Sequence, residues 1–262
     1  DNVNLYLTVA EGWKAGGINR FPSRDNAVLP YDSEESVNYE IGVKSMLADG
    51  RVTLNAALYY IDIEGQQMLT VVPDPGGATP VTIIDNAAYS TSKGLELELN
   101  ANLTDQWRVA LSYSYADTEF DDYFLNDGTG VPTVDRSGQA FDFVPEEMFS
   151  LTVGYSVADV FADYDLDVSL NFRKVDGYSR PDGSFIDAPL GASFDLPSYD
   201  NLDMRVILRN DDWRFILYGK NLQDEFNYSD LGRGPFTSIT ADQLYVTPMA
   251  PRHFGLTVAR EF

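Results

Sequence analysis

From Gly94 to Leu103 the chain reads GLELELNANL, with Leu95, Leu97, Leu99, Ala101 and Leu103 on one parity and Glu96, Glu98, Asn100 and Asn102 on the other. Successive side chains of a strand point to opposite faces, so this segment has one wholly apolar and one wholly polar side, a sorting that a helix cannot produce. The pattern recurs. Trp107, Val109, Leu111, Tyr113 and Tyr115 alternate with Arg108, Ala110, Ser112, Ser114 and Ala116. Val37, Tyr39, Ile41 and Val43 alternate with Asn38, Glu40, Gly42 and Lys44, and Tyr164, Leu166, Val168, Leu170 and Phe172 with Asp165, Asp167, Ser169, Asn171 and Arg173. In the last segment Arg260 interrupts the apolar parity near the end, where a long side chain snorkels to an interface.

Ten such strands are expected, at 2–16, 35–47, 51–65, 88–103, 107–121, 144–158, 164–177, 198–209, 213–225 and 251–262. Many are longer than the ~5–6 residues usual in soluble proteins and long enough for the ~9–11 residues that cross a bilayer. The connections alternate in length. Long ones at 17–34, 66–87, 122–143, 178–197 and 226–250 are separated by Ala48-Asp49-Gly50, Thr104-Asp105-Gln106, a short link at 159–163, and Asn210-Asp211-Asp212. Short periplasmic turns and long extracellular loops are the habit of outer-membrane barrels. The fold expected is therefore all-β: an antiparallel up-and-down transmembrane β-barrel wall of about ten strands, ending on the short-turn side.

Composition agrees. A net charge of -23 excludes a nucleic-acid partner, which needs clustered Lys and Arg. Acidic chains with few aromatics are disordered, but this one has 16 Tyr and 15 Phe. Trp107 and Trp213 each follow a tight turn, as residues of a periplasmic girdle would, and Tyr113, Tyr115, Tyr59 and Tyr60 lie toward the far strand ends; aromatics also simply favour strands. With no Cys and only His253, neither a cysteine nucleophile nor a multi-histidine metal site is expected, so the chain is read as a non-enzyme without metal or cofactor.

Five phrases, in order, resemble those of TonB-dependent receptors. They are EGWKAGGIN at 11–19; the hairpin at 34–67 with YEIGVK, a Gly-Arg turn and a strand ending in an acidic residue and Gln; DNAAYSTSKGLELEL at 85–99; WRFILYGKNLQDEF at 213–226; and PRHFGLTVAREF at 251–262. The resemblance implies the C-terminal portion of a 22-stranded barrel. Residues 1–262 would then be one partial barrel domain, with the plug and the N-terminal strands outside this chain. It implies a receptor in the outer membrane of a Gram-negative bacterium, importing a scarce nutrient such as a ferric siderophore and energised through TonB. The implied partners are the lipid bilayer and lipopolysaccharide, the TonB complex through the missing plug, the barrel-assembly machinery, and a small-molecule ligand such as an iron chelate. A passive porin or a small complete ten-stranded barrel is the alternative.

Ligand contacts would fall to the long loops and upper wall. The candidates are Arg20, Phe21, Tyr31, Gln66, Gln67, Tyr123, Phe124, Arg180, Tyr228, Arg233 and Phe236. Arginines suit anionic chelates and aromatics supply stacking area; a loop residue with no ligand role is the competing explanation for each. The polar parity, including Glu40, Lys44, Glu96, Glu98, Arg173 and Arg205, would face a plug or only water. Phe262, with Phe254, Leu256 and Val258 behind it, resembles the family's terminal signal for barrel assembly, and equally closes a barrel.

Overall fold

The computed structural model describes residues 2–20, 28–72, 81–126, 132–181, 193–233 and 244–260. In chain order the strands are β1 (Asn2–Lys14), β2 (Gly17–Arg20), β3 (Val28–Tyr31), β4 (Glu34–Leu47), β5 (Val52–Val72), β6 (Val81–Asn102), β7 (Trp107–Asp122), β8 (Phe124–Asn126) and β9 (Pro132–Asp135). They continue as β10 (Glu147–Phe161), β11 (Tyr164–Val175), β12 (Tyr178–Pro181), β13 (Ser193–Leu196), β14 (Tyr199–Arg209), β15 (Trp213–Lys220), β16 (Tyr228–Arg233), β17 (Leu244–Pro248) and β18 (His253–Arg260). No helix occurs among the described residues.

Ten of these strands form one antiparallel meander in the order β1-β4-β5-β6-β7-β10-β11-β14-β15-β18. The sheet is open, with β1 and β18 at opposite edges. The other eight pair two by two into small hairpins, β2-β3, β8-β9, β12-β13 and β16-β17, each inside a long connection.

The register lines up the apolar parities. Leu5 faces Val43, Val43 faces Ala56, Ala56 faces Leu97 and Leu97 faces Tyr113. Farther on, Val153 faces Leu170, Leu170 faces Met204, and Leu217 faces Leu256. A slip of one residue in any pair would send a whole apolar set to the wet side, so the alternation itself fixes the pairing. These rows are uncovered: Leu5 is 81% and Leu7 75% exposed. A soluble protein does not leave such a continuous apolar face to water, but a membrane wall presents it to lipid. Interrupted by Ser45, whose hydroxyl donates to Leu54 O, the apolar parity on β4 runs from Val37 to Leu47. That is about 33 Å of strand and, at a tilt of ~40°, a depth of about 25 Å, the height of an outer-membrane apolar band. Above the band the same face turns polar, with Lys93 and Asp117 paired across β6 and β7 at 3.0 Å.

The short turns are built from local side-chain acceptors. Thr104 Oγ1 accepts from the backbone N–H groups of Gln106 and Trp107, and Asn210 Oδ1 from those of Asp212 and Trp213. Ala48, Asp49 and Gly50 all take positive φ. Trp107 packs on Tyr155 at 4.9 Å and Trp213 stacks on Phe215, at the turn end of the wall. Arg260, the interruption in the last strand, lies over the Trp213 ring at 5.3 Å. Tyr60 takes its expected place on the apolar face, but Tyr59 does not: it pairs with Glu40 and Gly94 on the polar side. There its ring occupies the space above Gly94 that a Cβ would fill, as Tyr6 does over Gly42 and Tyr218 over Gly255.

Candidate functional site

Among the described residues, depressions open on the polar face of the wall. One is bordered by Tyr6, Glu40, Lys44 and Glu96, a second by Glu98, Ser112, Ser150 and Arg173, and a third by Asn171, Asp203, Arg205 and Lys220. Some of these charges satisfy one another. Tyr6 donates to Glu40 at 2.5 Å, Lys220 to Asp203 at 2.6 Å, and Asp167 lies between Arg108 and Arg209 at 3.7 and 3.4 Å. Glu96, Arg173 and Arg205 have no hydrogen bond or ion pair among the described residues. The middle of the wall therefore offers charges of both signs to whatever fills the lumen.

The long connections gather at the other end. Of their described parts, 132–143 folds back on the upper end of β7, where Phe120 N–H donates to Gln139 O and Gly138 N–H to Phe120 O. Phe120 shares the polar parity of Ser112 and Ser114, yet it is fully buried, together with Ala87 and Tyr123. Phe141, Met68 and Val134 pack against that cluster, and the rings of Tyr123 and Phe141 lie 5.0 and 4.8 Å from Phe120. Beside it Arg136 makes a two-pronged bond to Asp142, at 2.7 and 3.1 Å. Its Nε donates to Gln139, and its guanidinium sits over the Phe120 ring at 5.4 Å. Both ends of this ion pair are nearly sealed from solvent, with side-chain exposures of 7% and 3%. Burial pushes the Tyr123 phenol far above its ordinary pKa. The Asp135 carboxyl is held below the usual range by hydrogen bonds from Ser137.

Several candidate ligand residues are engaged in holding this region together. Gln66 accepts from Ser90 Oγ at 2.6 Å, and the Gln67 amide donates to the carbonyls of Ala15 and Asp32. Tyr31 lays its ring on Gly17, its cross-strand partner in β2-β3. Tyr123 is 1% exposed. Arg180 donates to Leu231 O at 2.6 Å and pairs with Asp230 at 2.5 Å. Phe124 is 49% exposed and stands free at the loop surface, and Tyr228 is half-buried beside Phe226. Arg20 and Arg233 end β2 and β16, with backbones paired to Val28 and Leu244. Phe21, Phe236 and Phe262 lie outside the described residues. Phe254, Leu256 and Val258 form an exposed row on the apolar face of β18.

Sequence reasoning missed Arg136, Asp142 and Asn221. The first two lie six residues apart in a connection without periodicity, so nothing local marks them as a pair. Asn221 carried a signal, the KNLQD phrase. It takes positive φ after β15, accepts from Glu225 N–H and donates to the carbonyls of Glu225 and Ala250, tying both ends of the last long connection.

This geometry defines a class, the outer-membrane β-barrel wall with an apolar lipid face, a charged lumen and a structured loop end. Residues 1–222 match the family model for the TonB dependent receptor-like β-barrel, and the chain belongs to that family. It is 31% identical over 139 residues to the pesticin receptor of Yersinia pestis, covering 53% of this chain and 20% of that one. It is 28% identical over 199 residues to the probable TonB-dependent siderophore receptor PiuA of Acinetobacter baumannii, covering 70% and 25%. Among solved structures it resembles the ferric yersiniabactin uptake receptor FyuA of Yersinia pestis, with a TM-score of 0.71 at 22% identity over 100% of this chain and 35% of that one. PiuA gives a TM-score of 0.70 at 22% identity over 98% and 33%. The chain thus spans about a third of the length of these solved receptors, and members of the family in Gram-negative bacteria are outer-membrane proteins.

Proposed function

We propose that this chain is part of an outer-membrane receptor that imports a ferric siderophore or a related metal chelate, energised through TonB. The observation that carries the reading is the two-faced wall of a TonB-dependent receptor barrel, with Glu96, Arg173 and Arg205 on its lumenal face making no ion pair among the described residues. A polar body filling the lumen, such as the family's plug, would meet those charges at little cost, because lumenal charge is far cheaper than charge against lipid. The names of the relatives support the cargo class: a siderophore receptor, a ferric yersiniabactin receptor and ferric-pyoverdine receptors stand among them. Phe124, Tyr31 and Tyr228, with Arg20 and Arg233 at the strand ends, are the residues of this chain proposed to meet the ligand. Lipopolysaccharide would meet the polar band above the lipid face, and the assembly machinery the row Phe254, Leu256 and Val258.

The test is uptake of radiolabelled iron chelates by cells that carry or lack the gene. The expected result is accumulation of at least one chelate class that depends on both the gene and a functional TonB. Uptake of small solutes that ignores TonB and does not saturate would instead identify a passive pore.

A further inference from the structure

Each long connection of this wall touches the next through specific contacts, and the contacts run in unbroken series. The β1-β4 connection meets the β5-β6 hairpin through Asn19. Its side-chain amide donates to Ile84 O at 2.7 Å and accepts from Ile84 N–H at 2.8 Å, standing in for a strand neighbour. That hairpin meets the β7-β10 connection in the buried Ala87-Phe120-Tyr123 cluster. The β7-β10 connection meets the β11-β14 connection where Phe143 N–H donates to Ser179 O at 2.8 Å and Ser179 Oγ donates to Asp142 at 3.1 Å. The β11-β14 connection meets the last one through Arg180, bonded to Leu231 O and Asp230.

We propose that the described segments of the five long loops form a single mechanically coupled collar, in which Arg136 and Arg180 are positioning residues rather than ligand contacts. The physical reason is the placing of charge at the junctions. Asp142 accepts from both Arg136 and Ser179, so the buried ion pair that closes one loop also supplies the acceptor for the next. Arg180 follows Ser179 directly, so the same two residues of β12 hold the loops on either side. At the two junctions around β12 a displacement cannot be absorbed locally without breaking a bond to a charged group, and at the other two it would break the Asn19–Ile84 bond pair or the buried cluster. Loosening of one of these segments is therefore passed on to its neighbours.

Hydrogen exchange on the intact receptor in bilayer discs tests this, with the wall amides at 95–101 as the folding control. Arg180→Ala removes the junction to the last loop. Exchange at 228–233 is expected to rise by about tenfold, the loss typical of hydrogen bonds to a charged group, and exchange at 136–143, two loops away, is expected to rise with it. In the double variant with Asp142→Asn, the effects at 228–233 should be smaller than their sum. A rise confined to 178–181 and 228–233, with 136–143 unchanged, would overturn the proposal. Should Arg180→Ala also loosen 95–101, Asp142→Asn alone makes the comparison from the other end. A rise reaching 228–233 supports the collar, and one confined to 134–143 contradicts it.

Discussion

At the residue scale the most consequential contact is the Arg136–Asp142 pair, because neither charge has water to fall back on. Removing one partner of a buried pair leaves the other uncompensated, at a cost of about 3–5 kcal/mol. Asp142→Ala should therefore loosen the 132–143 segment, and with it the loop segments it is bonded to, while the wall persists, seen first as rapid proteolytic nicking between β7 and β10 in a barrel that still resists detergent. Tyr123 adds a pH dependence. Its folded pKa is raised by burial, so its contribution is complete below the unfolded value of about 10 and is lost as pH rises beyond it. Nicking of the same connection should accelerate above about pH 10, and Tyr123→Phe should remove that acceleration. Neither residue's role could be read from the sequence. Tyr123 looked like a ligand-stacking aromatic in a loop, and only the return of the chain to β7 buries it.

At the scale of the element, period two carries the whole wall. The ten wall strands were all legible from the alternation, since lipid on one side and a polar lumen on the other leave no other arrangement. The legibility ends where the lipid ends. On β5 the apolar parity already gives way at Asp62 and Glu64, and past Gly65, which takes positive φ, come Gln66 and Gln67, so the alternation ends there although the hairpin continues to Val72 and Val81. The four loop hairpins are too short to show a period. Tyr59 lies toward the far end of its strand, where a girdle residue is expected, but strand neighbours face opposite ways and Gly94 leaves room for its ring on the polar side. The same logic makes a prediction. Leu97→Arg, in the middle of the lipid face, should destabilise the wall by about 2–4 kcal/mol in denaturant titrations of vesicle-embedded protein. Ser112→Arg, one strand away on the lumenal face beside Glu98, should change it by less than about 1 kcal/mol.

At the scale of the molecule, sequence phrases and fold agree on a TonB-dependent receptor barrel. Identity near 22% to the solved receptors preserves the wall, whose demands are only parity and turns. In the proposed reading, ligand choice would depend on loop surfaces that no periodicity governs, so the class is legible in the residues and the cargo is not. Everything rests on the wall having a lipid side and a wet side. The direct measurement is spin-label accessibility along β6 in the membrane-embedded protein, with single cysteines placed in turn at Leu95, Glu96, Leu97, Glu98 and Leu99. Labels at 95, 97 and 99 should collide with oxygen and be shielded from a water-soluble nickel reagent, and labels at 96 and 98 should show weaker oxygen contact. Accessibility that does not alternate along these five positions, or that alternates with the opposite phase, would contradict the account.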